Sequence, residues 1–355
     1  MPSPDVFYDL PEHLRNELIA FHGKALEASG VTAGFSGEIV FLDNGQNVYP
    51  RTTAAKYPRR REHLKPSDRA DRFLREIKLQ AKAHYHPNVH WPFDMVFILG
   101  APIAYFRRWE GDLSDFIESP AFGDIGRLSL MIQLAAGLAH CHARGLVHQD
   151  IKPENIFVRD MRTSFRDLPE TDFWLRPLIA DFGSVNLAAD IGEFDGSRPY
   201  KTPEQWQKKT LGEWTSVFVL GVILHELMSR GVHPIGQHAG DWHRQILPQF
   251  NRWQKDKLWK RWLEAGCQVA QPLPDNEIAA LVAACLCPDP VSRPTLHDVQ
   301  LSLSSILQRR CMTGAAQVDL FLKISEEDSH LTGWPHLTKR IEQLECAIQK
   351  HFSDI

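Results

Sequence analysis

Apolar positions along the chain fall into two kinds of run. Short runs bounded by Gly, Pro, Asn or Asp predict strands, and longer runs that repeat at three and four predict helices. Behind Pro11, which suits a first helical turn, Leu14, Leu18, Phe21, Ala25 and Ala28 share a face and Gly30 ends the run, so a helix is predicted to about Ser29. The stretch GVTAGFSGEIVFLDNG, Gly30 to Gly45, predicts strand, glycine-rich turn, strand. A helix capped by Ser67 or Asp68 carries Phe73, Leu74, Ile77 and Leu79. MVFILGAPIAYF adds two strands, and Arg127 to Gly145 a helix with Leu130, Leu134, Leu138 and Cys141 on one face. Thr215 to Leu227 is apolar nearly all round, as a buried helix must be. In the tail, Leu337, Ile341, Leu344 and Ile348 form a stripe too short for a coiled coil, which predicts a helix docked on its own lobe.

Composition changes this picture little. With 355 residues the chain has room for two lobes, because single cores stop growing at about 250–300 residues. A net charge of −4 points neither toward nor away from nucleic acid. Six cysteines without a C-x-x-C pair predict neither a disulfide scaffold nor a zinc ribbon, and a reducing compartment is expected. The longest apolar run, Val217 to Leu224, is far shorter than the ~20 residues of a membrane span, and no signal-like segment opens the chain. A cytoplasmic location without membrane contact is the expectation.

The chemistry concentrates in GLVHQDIKPENIFV, Gly145 to Val158, and IADFGS, Ile179 to Ser184. Apolar flanks predict short buried strands, with a polar loop from His148 to Asn155 between them. Asp150 could orient a hydroxyl nucleophile, while Asn155 and Asp181 offer the hard oxygens that Mg²⁺ prefers. Phosphoryl transfer needs such a set. His140, His142 and His148 could suggest a metal cluster, but two residues apart on a helix point to different faces. No metal cluster is therefore expected, and His140 and His142 are read as surface histidines. Between Arg51 and Arg75 nine Lys or Arg stand against three Asp or Glu, more often a solvated face than a docking site. Trp242, Trp253, Trp259 and Trp262, interleaved with bases, could stack on single-stranded nucleic acid, but packing within the domain is the stronger expectation.

HQDIKPEN followed by DFG resembles the catalytic core of the eukaryotic-type protein kinases, whose pattern is H-R-D-L-x-x-x-N then D-F-G. Lys152 is similar to the serine/threonine branch. GSRPYKTPE, ending in Thr202, Pro203 and Glu204, resembles the close of the activation loop, and Arg293 in CPDPVSRPT resembles the arginine that pairs with that Glu. Gly34, Gly37 and Ile39 match the second and third glycines and the Val of the G-x-G-x-x-G-x-V loop. Lys56 matches the strand lysine that holds phosphates, with Glu76 as its partner.

The resemblance implies an α+β, bilobal protein kinase fold: a helical extension over 1–29, a β-rich N lobe over 30–103, and a mainly helical C lobe over 104–310. An insert near 159–177 is longer than the family's usual connection, and a helical tail covers 311–355. It implies ATP and Mg²⁺ in a cleft, with transfer to Ser or Thr hydroxyls of a protein substrate. In the implied roles Asp150 receives the hydroxyl proton, Lys152 neutralises the moving phosphoryl group, and Asn155 and Asp181 hold the metal. Gly34, Gly37, Ile39, Lys56 and Glu76 surround ATP, and His148, Phe182, Gly183, Glu204 and Arg293 are structural. The link between lobes is expected near Ala104 to Gly111, with Tyr105 guarding the back of the nucleotide pocket. A regulatory partner would use the tail or the insert, and nucleic acid is not expected.

Several departures bear on activity. Gln149 replaces the Arg of H-R-D, and the activation-loop acids Asp190, Glu193 and Asp195 accompany few hydroxyls, so control by loop phosphorylation is not expected. Ser216 stands where the large buried helix usually opens with an Asp that braces the catalytic loop, predicting a capped helix but a weaker brace. Thr32 and Thr202 are milder changes. The rival readings are a pseudokinase acting by docking, and a small-molecule phosphotransferase.

Overall fold

The structure, a computed structural model, describes residues 5–33, 37–61, 63–163, 174–187, 197–238, 249–329 and 335–353. In chain order come α1 (Val6–Asp9), α2 (Glu12–His22), β1 (Glu27–Ala33), β2 (Gly37–Asp43), β3 (Thr52–Pro58), α3 (Pro66–Lys82), β4 (Pro92–Ile98) and β5 (Ala101–Arg107). They are followed by β6 (Gly111–Asp112), α4 (Leu113–Ile117), α5 (Asp124–Ala143), β7 (Leu146–His148), β8 (Ile156–Asp160), β9 (Leu175–Ile179) and β10 (Val185–Leu187). The remaining elements are α6 (Pro203–Trp206), α7 (Glu213–Met228), α8 (Gln249–Glu264), α9 (Asn276–Cys285), α10 (Leu296–Arg310), α11 (Met312–Ser329) and α12 (Pro335–Ser353). The chain divides into two compact units. The first comprises Met1–Tyr85, Trp91–Arg108 and Thr332–Ile355, and the second His86–His90 and Trp109–Leu331. The boundary falls after Arg108 rather than at 103/104, because β5 runs through Arg107. The tail is divided as well, with α11 in the second unit and α12 in the first.

The first unit is built on an antiparallel sheet of order β1-β2-β3-β5-β4. One face buries Val40, Leu42, Ala55, Tyr57, Ile103 and Tyr105 against Phe7, Tyr8, Ile19 and Ala20 from the N-terminal residues. The first helix ends at His22 instead of Ser29, since Lys24 takes a left-handed φ of 55° and β1 begins at Glu27. Its buried face is Ile19 and Ala20, while Phe21, predicted inside, is 78 % exposed. Tyr105 is also placed differently from the expectation. Its hydroxyl donates to Ile19 O at 2.9 Å within this cluster. Side chains alternate across a strand, so Tyr105, paired with Ala55, stands on the face opposite Lys56, which pairs with Ala104.

Helix α3 packs with Met95, Ala104 and Phe106 through Phe73, Leu74 and Ile77. It starts at Pro66, whose missing N–H would be an orphan at a helix start in any case, so the capping expected from Ser67 or Asp68 is absent. The basic stretch before and within it is partly neutralised rather than uniformly solvated. Arg60 Nη1 donates to Asp9 Oδ1 at 2.7 Å, and the buried Arg69 pairs with Asp5 and lies over the Tyr8 ring. Helix α12 completes this core: Leu337, Ile341, Leu344 and Ile348 join Phe73, Leu74 and Ile77 in one cluster. At its edges Lys78 Nζ meets Glu345 Oε1 at 2.6 Å and Arg340 Nε meets Asp94 Oδ1 at 3.0 Å. Leu344→Ala is expected to destabilise this unit by about 2–5 kcal/mol, the usual range for a leucine truncated inside a core. Urea unfolding followed by tryptophan fluorescence checks this; an unchanged midpoint would refute it.

In the second unit α7 is buried on every side, and Gly221 lets it approach α9 so closely that a Cβ would sit 2.6 Å from Cys285 Cβ. Trp259 and Trp262 of α8 are buried, against Trp206 and Phe218 respectively, as domain packing requires. Trp242 and the side chain of Trp253 lie outside the described residues. Part of the segment expected as an insert is strand. Arg159 and Asp160 extend β8 against Arg176 and Leu175, and Arg176 lies over Phe321 of α11 at 4.0 Å. Among the described residues no helix is long and apolar enough to cross a membrane.

Candidate active site

Strands β7 and β8 bracket the polar loop and pin its ends by pairing with β10 and β9. His148, at the end of β7, is buried. Its Nδ1 accepts the Asp150 N–H at 3.3 Å, so its Nε2 carries the proton it donates to Ala180 O at 2.9 Å. Burial lowers its pKa, which keeps the neutral tautomer that both bonds need. The Phe182 ring meets it edge-on at 5.5 Å. Gly183, by contrast, is exposed in the short turn Phe182–Ser184.

Three groups converge on the Asp150 carboxylate. Oδ1 accepts the Ser197 N–H at 2.6 Å, while Oδ2 faces Lys152 Nζ at 3.1 Å and accepts from Asn155 Nδ2 at 3.2 Å. Lys152 Nζ donates onward to Ser197 Oγ at 2.8 Å. Asn155 Nδ2 also bonds to Asp150 O at 2.7 Å, which orients the amide. Its backbone O accepts Ala180 N–H at 2.9 Å, tying Asn155 to the residue before Asp181. Asp181 itself adopts a left-handed φ of 58°. Asn155 and Asp181 thus place one amide oxygen and one carboxylate at neighbouring strand ends. That donor set fits Mg²⁺, which binds through few protein oxygens and keeps several waters. Among the described residues no group of three or more His, Cys, Asp or Glu could hold a metal.

The first unit carries a separate set. Across its sheet Ile39, Lys56, Ala104 and Met95 are successive register partners, so they form one row. Lys56 Nζ meets Glu76 Oε1 at 2.6 Å, with both side chains largely buried. Gly37 explains itself by close approach, since a Cβ there would lie 2.6 Å from Tyr57 O and 3.4 Å from Lys56 Cε. Gly34 lies outside the described residues. Ala104, the small neighbour of Lys56 in the row, was missed in the sequence because the strand parity was read one residue out.

A model of the protein kinase domain matches residues 44–303. The chain belongs to the protein kinase domain family. Serine/threonine-protein kinase PkaA of Streptomyces coelicolor is 26 % identical over 290 residues, covering 79 % of this chain and 46 % of that protein. A protein kinase and PP2C-like domain-containing protein of Arabidopsis thaliana is 25 % identical over 316 residues, covering 80 % and 44 %. The sensor for unfolded proteins in the ER, ire1, of Schizosaccharomyces pombe is 28 % identical over 208 residues, covering 46 % and 18 %. This kinase domain chain thus spans less than half the length of these relatives.

The segment Thr202–Trp206 is anchored by a buried ion pair. Arg293 Nη1 and Nη2 reach Glu204 Oε1 and Oε2 at 2.9 and 3.1 Å. Its remaining N–H groups go to Trp214 O, Pro288 O and Cys287 O, so all five donors of the guanidinium are used. Nearby, the Tyr200 hydroxyl bonds to both oxygens of the buried Glu226, whose carboxyl pKa burial drives up. The acids Asp190, Glu193 and Asp195 lie outside the described residues. Ser216 does not cap α7. That helix starts at Glu213 behind Gly212, and the Ser216 hydroxyl lies 3.2 Å from His142 Nε2.

His140, expected on the surface, is buried against His86 with ring centroids 4.4 Å apart. Burial first, and then the charges of His140, Arg144 and Arg176, lower the pKa of His86 from 6.5 to about 3. The unfolded kinase domain therefore takes up this proton at a higher pH than the folded one. The contribution to stability is complete above about pH 6.5 and is lost as pH falls toward about 3, at up to about 1.4 kcal/mol per pH unit. His86→Asn should unfold with a shallower pH dependence than wild type between pH 7 and 5. Parallel urea midpoints for the two proteins would reject this.

Proposed function

We propose that the chain is an active protein kinase that transfers the γ-phosphoryl group of ATP, with Mg²⁺, to Ser or Thr hydroxyls of proteins. The observation that carries the reading is the convergence of Lys152, Asn155 and the Ser197 N–H on the Asp150 carboxylate. A substrate hydroxyl brought to Asp150 finds a carboxylate oriented by three donors and able to take its proton as the new P–O bond forms. Lys152 places a positive charge beside that point, where negative charge on the moving phosphoryl group would be stabilised. Asn155 and Asp181 would hold Mg²⁺, which supplies neutralisation of phosphate oxygens. Lys56, fixed by Glu76, offers its ammonium to the α and β phosphates.

The Ser/Thr preference is supported by Lys152, two places after Asp150, and by the serine/threonine designation of PkaA. Phosphate transfer from Mg²⁺-ATP by the purified chain onto itself and a mixed protein substrate tests the reading, with Asp181→Asn alongside. Labelled Ser or Thr in the wild type and none in the variant is the expected result. If both proteins are silent while ATP still binds, the protein acts as a docking pseudokinase instead. Labelling of free small hydroxyl compounds alone would make it a small-molecule phosphotransferase.

A further inference from the structure

The peptide unit immediately before Asp150 is held at both ends by side chains. Its N–H, on Asp150, donates to His148 Nδ1 at 3.3 Å, and its carbonyl, on Gln149, accepts Gln205 Nε2 at 2.7 Å. Gln205 is itself locked. Thr202 N–H donates to Gln205 Oε1 at 2.9 Å and Gln205 N–H to Thr202 Oγ1 at 3.3 Å, so the amide oxygen is spent on the helix cap and the amide nitrogen must face Gln149. Thr202 and Gln205 are both buried, out of competition with water. Ser216, in the family's bracing position, instead bonds to His142.

We infer that Gln205 is a positioning residue for phosphoryl transfer, which orients the Asp150 carboxylate by clamping the Gln149 carbonyl. This rests on the proposed kinase activity. Rotation of this peptide plane would displace Asp150, and Gln205 with His148 holds the plane from opposite edges. It also couples the segment Thr202–Trp206 to the peptide unit that carries Asp150 through the Gln205–Gln149 bond. The residue opposite Gln149 thereby takes on a bracing duty that Ser216 leaves open.

The test compares wild type, Gln205→Met and Gln205→Glu in steady-state phosphoryl transfer from pH 6 to 8, with melting temperatures measured in parallel. Met keeps the volume but offers no donor, and kcat should fall up to about 100-fold, the cost of about an ångström of misplacement, with KM for ATP unchanged. Glu can donate to the Gln149 carbonyl only while protonated, and burial against that carbonyl raises its pKa. The ratio of Gln205→Glu to wild-type kcat should therefore rise as pH falls, whereas a residue that only supports folding gives a flat ratio. Variants within twofold of wild type, or losses that follow melting temperature with a flat pH ratio, overturn the inference while leaving the kinase reading intact. A silent wild type overturns the kinase reading and this inference with it.

Discussion

Asp150→Ala is expected to lower kcat for phosphoryl transfer by about 10²- to 10⁴-fold, the range that a positioned general base contributes, with little change in KM for ATP. The carboxylate receives the Ser197 N–H on one oxygen and faces Lys152 and Asn155 on the other, so its removal takes away the proposed proton acceptor and the hub of the loop together. In Asp150→Asn the amide can still accept the Ser197 N–H but cannot take a proton and turns its NH2 toward the donors of Lys152 and Asn155, so a loss as deep as that of Ala shows that the carboxylate itself is required. Steady-state kinetics on a Ser-containing protein substrate decides the matter, and a variant turning over at the wild-type rate would remove Asp150 from the chemistry.

Arg293→Ala carries the largest expected stability loss, about 3–5 kcal/mol, because it leaves Glu204 as a buried carboxylate without its cation. Both side chains of the pair are almost fully buried, at 0 % and 1 % exposure, so water cannot replace the lost guanidinium. Three backbone carbonyls, of Trp214, Cys287 and Pro288, lose their donors in the same stroke. A fall in Tm of roughly 10 °C is the corresponding thermal signature. The double variant Glu204→Gln with Arg293→Met should be less destabilised than Arg293→Ala alone, since no unpaired charge remains. Equal melting temperatures for Arg293→Ala and wild type would show the pair to be dispensable.

The kinase assignment was legible because its chemistry is written locally. Asp150, Lys152 and Asn155 sit within six residues on one loop between two apolar runs, and Asp181 follows the next strand. The Lys56–Glu76 and Glu204–Arg293 pairings were readable only through motif resemblance, since nothing local joins residues that far apart. What failed was parity and packing. Tyr105 and Ala104 differ by one position, and in a strand one position exchanges the two faces. Phe21 kept the helical period but lies near the helix end, where the chain turns left-handed at Lys24 and points elsewhere. The start of α3 was expected at Ser67 or Asp68, but Pro66 is its first residue. Gln205 against Gln149, His140 against His86 and Ser216 against His142 are contacts across 56, 54 and 74 positions, and neither period nor propensity carries such information.

The cover that α12 provides over α3 also decides where the chain can be cut. A fragment ending at residue 303, where the family match ends, would retain Lys56 and Asp150 but strip Leu337, Ile341, Leu344 and Ile348 from Phe73, Leu74 and Ile77. That would leave a contiguous apolar strip on the helix that holds Glu76, the kind of surface that drives aggregation. Anyone producing a soluble catalytic fragment of this chain should therefore keep residues to at least 353, or replace the uncovered α3 positions with polar ones.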